Sequence, residues 1–209
     1  MKHILFSALF ALALCASCGS SSTTEQQNDT TEPQAETRRE ALEGTRVSFE
    51  VPIDYNRSRR YLLKDEIVNY DDGFHAIFED MLYQLEREDE EPDIFIDTTE
   101  NFDHFVIRTV SKLELNEERA TLYAANLEQY IQERADQTRG LTSERLSTTL
   151  NEGNGKTMLK LKYKHENRKE PEVFHETIYF ITDAVQTFVI TEYHRDEADI
   201  ESAFWRMTY

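Results

Sequence analysis

The run Leu150-Asn151-Glu152-Gly153-Asn154-Gly155-Lys156-Thr157-Met158-Leu159 carries the strongest local instruction in the chain. At its centre Asn154-Gly155 suits a two-residue type I′ turn, because both central residues of that turn need positive φ and these two adopt it at little cost. Closing a hairpin there sets Leu150 opposite Leu159, Thr148 opposite Leu161 and Leu146 opposite Tyr163, all on one face. Downstream, a turn around Arg168 to Pro171 sets Leu159 opposite Ile181, Leu161 opposite Tyr179 and His165 opposite His175. A further turn at Asp183-Ala184 sets Tyr179 opposite Phe188 and Thr177 opposite Ile190. The spacing thus predicts an antiparallel meander from Leu141 to His194. On the reverse face of its last two strands Phe174, Ile178 and Phe180 lie beside Val189 and Tyr193, so water is excluded from both sides and helices are expected on both. Lys160, Lys162 and Lys164, on the reverse face of the earlier strand, mark where that cover stops.

Upstream, Val47, Phe49 and Val51 alternate and meet Pro52, which predicts a short strand turning at Pro52 to Asn56. Arg57 to Tyr70 reads as a loop with a short element near Tyr61 to Leu63. Phe74, Ile77, Phe78, Met81, Leu82 and Leu85 fall at helical spacing, an amphipathic helix whose apolar stripe packs on the core. Ile94 to Asp97 and His104 to Val110 read as a hairpin. Asn116 or Glu117 opens a helix to Gln137 with Ala120, Tyr123, Ala124, Leu127, Tyr130, Ile131 and Ala135 on its inner side, and Gly140 stops it. A last helix from Asp196 or Glu197 turns Ile200, Phe204 and Met207 inward.

The start of the chain is of another kind. Met1 to Ser17 has a basic residue at Lys2, an apolar run from Ile4 to Leu14 and small residues at Ala16 and Ser17, the layout of a secretory signal. Leu14-Cys15-Ala16-Ser17-Cys18-Gly19 resembles the lipobox of bacterial lipoproteins, although Cys15 stands where that pattern usually has leucine. The resemblance implies cleavage before Cys18 and acylation of Cys18. With Cys15 and Cys18 the only cysteines, a processed chain then has no thiol left for a disulfide. In lipoproteins of the best-studied Gram-negative bacteria an Asp after the lipidated cysteine favours the inner membrane. Gly19 stands here instead, which points to the outer membrane, facing the periplasm. The expected organisation is a signal peptide over 1–17, a flexible Ser/Thr/Glu-rich tether over 18–43 and one globular domain over 44–209.

The order of elements resembles the PsbP and Mog1-like domains, including the bacterial DcrB-type lipoproteins. The shared features are a short first strand ending at Pro52, a hairpin leading into a long helix, a late antiparallel meander and a closing helix over Asp199 to Met207. The resemblance spans Arg46 to Tyr209. It implies an α+β fold, an α/β/α sandwich around a mostly antiparallel β-sheet, and largely non-enzymatic roles in binding or assembly. No site residue carries over.

The formal net charge is −18, from 41 acidic against 23 basic side chains, which repels nucleic acid and anionic lipid headgroups and favours solubility. Membrane attachment is left to the lipid. No G-x-S-x-G elbow, H-E-x-x-H motif or glycine-rich phosphate loop is present, so no enzyme and no cofactor are expected. The acidic run Glu86 to Asp93 lacks the alternating ligands and central glycine of a calcium loop. In the expected register His165 faces His175 and His175 faces Glu192, the one set of side chains placed to hold a metal. Lys160, Lys162 and Lys164, with Lys164 opposite Glu176, form the one basic stripe and the candidate dock for an acidic partner. The function expected is a lipid-anchored module that binds protein or assists assembly. The competing reading is a small-ligand carrier with an apolar pocket between the sheet and the Phe74 to Leu85 helix.

Overall fold

The Asn154-Gly155 turn closes as expected, with φ of 52° and 72° at its two residues, and it sets Leu150 opposite Leu159 and Thr148 opposite Leu161. A computed structural model describes residues 36–59, 62, 92–97, 103–138, 140–168, 173–195 and 200–208. Its strands are β1 (Thr37–Ala41), β2 (Ser48–Pro52), β3 (Tyr55–Ser58), β4 (Asp93–Asp97), β5 (His104–Ser111), β6 (Leu141–Gly153), β7 (Lys156–Asn167), β8 (Val173–Thr182) and β9 (Gln186–His194). Helix α1 spans Glu117–Gln137 and helix α2 Glu201–Trp205. The helix expected over Phe74 to Leu85 lies outside the described residues.

β1 and β2 form a two-stranded sheet; the other strands form a seven-stranded sheet in the order β3-β4-β5-β9-β8-β7-β6. Every pairing is antiparallel. The chain's last strand, β9, therefore sits in the middle, between β5 and β8.

Three registers differ from expectation. Leu146 bulges out of the β6 ladder, so Arg145 stands opposite Tyr163, and Leu146 is 40% exposed. β7 and β8 pair Leu159 with Phe180, Leu161 with Ile178 and His165 with Phe174, one residue from the expected register. A one-residue slip exchanges faces, so Leu161 and Tyr179 point to opposite sides of the sheet. β8 and β9 pair Tyr179 with Ile190 and Ile181 with Phe188, a two-residue shift that leaves the faces as they were.

Each face has its own core. Leu159, Leu161, Tyr163 and Ile178 pack against Ala120, Ala124 and Ile131 of α1. Asn116 caps that helix by accepting the Arg119 N–H at 2.9 Å, and Gly140 follows its end at φ 93°. Tyr130, expected inside, is 39% exposed. On the opposite face Tyr179, Ile181, Phe188, Ile190, Phe95 and Phe105 meet Phe49 and Val51 of β2 and Phe204 of α2, with the Phe204 ring 5.1 Å from that of Tyr179. That second cover is shared by Leu42, Val47 and β2 with a five-residue helix, so among the described residues the molecule is sheet-dominated with few helices.

β1 falls inside the stretch expected to be tether. Its backbone pairs with β2 from Thr37↔Pro52 to Ala41↔Ser48, Arg38 bonds Glu40 at 2.8 Å and Arg39 bonds Ser48 at 2.8 Å. Backbone pairing replaces the apolar burial that its sequence lacks, and Leu42 just beyond is 2% exposed. β3 likewise occupies the start of a stretch read as loop. Its anchor is Arg57, whose guanidinium pairs with Asp93 and lies 5.0 Å over the Phe95 ring.

Candidate functional site

The apolar side of α1 includes one cation. Arg134, three residues after Ile131, is 8% exposed and reaches Oε2 of Glu176 in β8 at 2.5 Å. Glu176 is set opposite Tyr163 and shares the helix-facing side with His165, whose Nε2 lies 3.0 Å from the same Oε2. Ser143 of β6, directly across from His165, places its hydroxyl 2.8 Å from the imidazole Nδ1. Tyr193 of β9 donates to Glu176 Oε1 at 3.3 Å, and the Phe174 ring stacks between His165 at 5.3 Å and Tyr193 at 5.5 Å. Burial opposes ionisation of Glu176, but the Arg134 guanidinium and the His165 hydrogen bond outweigh it and hold the carboxyl down at about 2. Burial, then the Glu176 charge, pushes the Tyr193 phenol well above its ordinary range.

A hydroxyl, an imidazole and a carboxylate in series is the order of a nucleophilic triad. Here the carboxylate oxygen that orients His165 is also neutralised by Arg134, His165 is fully buried, and Ser143 does not line the groove found at the other end of these strands. The series therefore works as a fastening between α1 and strands β6 to β9.

A second polar cluster lies on the opposite face. His194 places Nδ1 3.1 Å from Asp103, and its Nε2 is 2.8 Å from Oε1 of Glu192, off the line a hydrogen bond prefers, so that attraction is ionic. Glu192, fully buried, also accepts the Tyr179 hydroxyl at 2.7 Å and the Ile200 N–H at 2.9 Å. Asp103 accepts the Arg195 N–H at 3.0 Å. Burial alone would lower the His194 pKa; the Asp103 hydrogen bond and the charges of Glu192 and Asp103 carry it up to about 9. This cation ties the sheet to the loop before β5 and to the lead-in of α2. Tyr55 packs edge-on against the His194 ring at 6.5 Å, and its phenol is raised by burial, then by Asp103 and Glu192.

The three side chains considered for a metal are not brought together. His165 belongs to the helix-facing network, while His175, opposite His194, and Glu192, opposite Thr177, lie on the other face. The reason is the one-residue slip between β7 and β8. Among the described residues no group of three His, Cys, Asp or Glu side chains is placed to hold a metal ion. The lysine stripe does lie along one side of β7, but it is partly absorbed by packing. Lys160 bonds Glu201 of α2 at 2.8 Å and lies 5.6 Å over the Tyr179 ring, and Lys164, set opposite His175 and not Glu176, pairs with Glu166.

A groove of about 620 Å³ opens at the turn end of the sheet, between Leu113, Leu115, Gly153, Lys156, Thr157 and Asp183. Lys156 turns its ammonium to the carbonyls of Met207 at 2.8 Å and Trp205 at 3.3 Å, and Asp183 uses one oxygen to accept the N–H groups of Val185 and Gln186. It is open and mixed in polarity. The enclosed apolar pocket expected of a carrier falls against residues outside those described. Among the described residues no helix is long and apolar enough to cross a membrane.

No protein-family model matches the sequence, and no curated protein matches it. Among solved structures the chain is similar to the solution structure of cyanobacterial PsbP (CyanoP) from Synechocystis sp. PCC 6803, at 11% sequence identity and a TM-score of 0.49, covering 85% of each chain. At that identity and score the likeness assigns neither ligand nor partner.

Proposed function

We infer that this is a lipid-anchored, non-enzymatic envelope protein that binds another polypeptide or helps a complex assemble. The observation that carries the reading is β6. It is thirteen residues long, stands last in the sheet order, and is exposed from Glu144 to Thr149 and again from Asn151 to Gly153. A strand edge of this kind offers a row of N–H and C=O groups for the addition of a further strand. The charged clusters, by contrast, are spent on holding elements together. A fluorophosphonate probe should accordingly leave Ser143 unlabelled; labelling that disappears in His165→Gln would make the protein a hydrolase instead.

Anchoring rests on Cys18 and the lipobox resemblance, with an outer-membrane, periplasm-facing position read from Gly19. A PsbP/Mog1-like α/β/α sandwich is the architecture that goes with this reading. Buried acyl chains contribute roughly 0.8 kcal/mol per methylene, so more than one chain holds a protein durably at a bilayer. The test is mass spectrometry of the N-terminal peptide for fatty acid, combined with a pull-down from membranes of the tagged protein, the Cys18→Ser form and a Thr149→Lys form. The native protein should retain a partner that Thr149→Lys, which guards the β6 edge with charge, loses. A partner held equally by Thr149→Lys would move the binding surface elsewhere, and an unmodified Cys18 would remove the anchor.

A further inference from the structure

Resting on the reading of β6 as a binding edge, we propose that its occupant is a second copy of this chain, with β6 pairing antiparallel to β6 about a two-fold axis at Thr149. The argument is one of register and charge. Extending a sheet by an antiparallel copy of its own edge requires a two-fold axis normal to the sheet, so paired residues must share a face. In β6, Thr148, Leu150 and Glu152 lie on the helix-facing side, since they stand opposite Leu161, Leu159 and Thr157. Arg145, opposite Tyr163, lies on that side as well, because the bulge at Leu146 shifts the alternation by one.

With the axis at Thr149, Thr148 meets Leu150, Ser147 meets Asn151 and, with the bulged Leu146 skipped, Arg145 meets Glu152. Every pair is matched in face. Two Arg145 to Glu152 contacts of opposite charge result, one on each side of the axis, and the run between them, Ser147 to Asn151, contains no charge and no proline. Without the bulge Arg145 would sit on the other face and the charges would not meet. Arg145 now pairs with Glu128 at 2.6 Å, but both side chains are substantially exposed, and a surface pair of this sort is readily exchanged. The product is one continuous sheet shared by two protomers. The chain's net charge of −18 opposes the association, which should therefore strengthen with salt except where the Arg145 contacts are screened.

The test is cysteine cross-linking of the full-length, processed protein in detergent. Antiparallel neighbours place Cα atoms roughly 4.5–5.5 Å apart, inside the roughly 4.4–6.8 Å span of a disulfide, so Thr149→Cys should form a disulfide-linked dimer on oxidation. Asn151→Cys, whose own mate would lie on the order of 13 Å away along the strand, should not. Sedimentation should show the unmodified protein as a dimer, Arg145→Glu weakening it about tenfold and Arg145→Glu with Glu152→Arg restoring it. Equal cross-linking at both cysteines, no cross-linking at Thr149→Cys, or a charge swap that fails to rescue would each overturn the proposal. A monomer that still captures a different protein through an edge sensitive to Thr149→Lys would sink the second copy and leave the binding-module reading standing; a monomer that captures nothing would sink both.

Discussion

Replacing Glu176 with Gln would leave the Arg134 guanidinium buried beside a neutral amide, with His165 and Tyr193 deprived of their anionic partner. Removing one member of a buried ion pair costs about 3–5 kcal/mol, whereas removing both members together costs far less. Glu176→Gln should therefore lower denaturant stability by about 3 kcal/mol, and Arg134→Met combined with it should recover much of the loss; additive losses would mean the two do not act as a pair. Because the Glu176 carboxyl is lowered from 4.5 to about 2, its contribution is complete above about pH 4.5 and is lost as pH falls towards 2. His194 runs the other way. Its pKa is raised from 6.5 to about 9, so its stabilisation is full below pH 6.5 and disappears as pH rises through 9, worth roughly 3 kcal/mol. Thermal midpoints measured from pH 6 to 10 should fall across that window, and His194→Gln should flatten the slope. Arg134 was missed, although its place three residues from Ile131 on an otherwise apolar stripe was visible in the sequence. Its partner was not, because Glu176 lies 42 residues further along and is brought to it by folding alone.

The first hairpin was legible because a two-residue turn is local chemistry. Asn154 and Gly155 carry the positive φ that the turn needs, and nothing distant has to cooperate. Gly155 has open space around its Cα, so Gly155→Ala should cost about 1 kcal/mol through φ alone and leave the near-ultraviolet spectrum unchanged. A loss of several kcal/mol would mean the turn does more than reverse the chain. The β7 to β8 register was not legible, for a reason written in β8 itself. Phe174 and Ile178 on one parity and Tyr179 and Ile181 on the other are all buried, so alternation does not say which set belongs with Leu161. That single ambiguity decided the metal question, since it placed His165 and His175 on different faces. The bulge at Leu146 left no mark in the sequence, yet it determines which face Arg145 takes. β1 was missed because five residues with two arginines, one acid and no large apolar side chain look like tether until a partner strand supplies their hydrogen bonds.

At the scale of the whole molecule, general class was legible from order and periodicity: a late antiparallel meander, a long capped helix before it and a hairpin before that. The strand order was not, because β5 joins β9 across the whole of α1 and the meander, a pairing that no local pattern announces. Position in the cell was read from the first nineteen residues alone and is independent of the fold. Truncations before Gln186 should give chains that bury neither face and are digested by protease as fast as denatured protein; a protected fragment would show that β3 to β5 and β6 to β8 can stand separately.

The central place of β9 bears on when the protein can fold as well as how. Ribosomes deliver the amino end first, and here the strand that joins the two halves of the seven-stranded sheet is made after the other six. Its ladder to β5 begins with His104 meeting Tyr193, a loop closure of high contact order that must wait until α1 and β6 to β8 have all been made. The architecture itself therefore holds the two halves of the sheet apart until β9 is available.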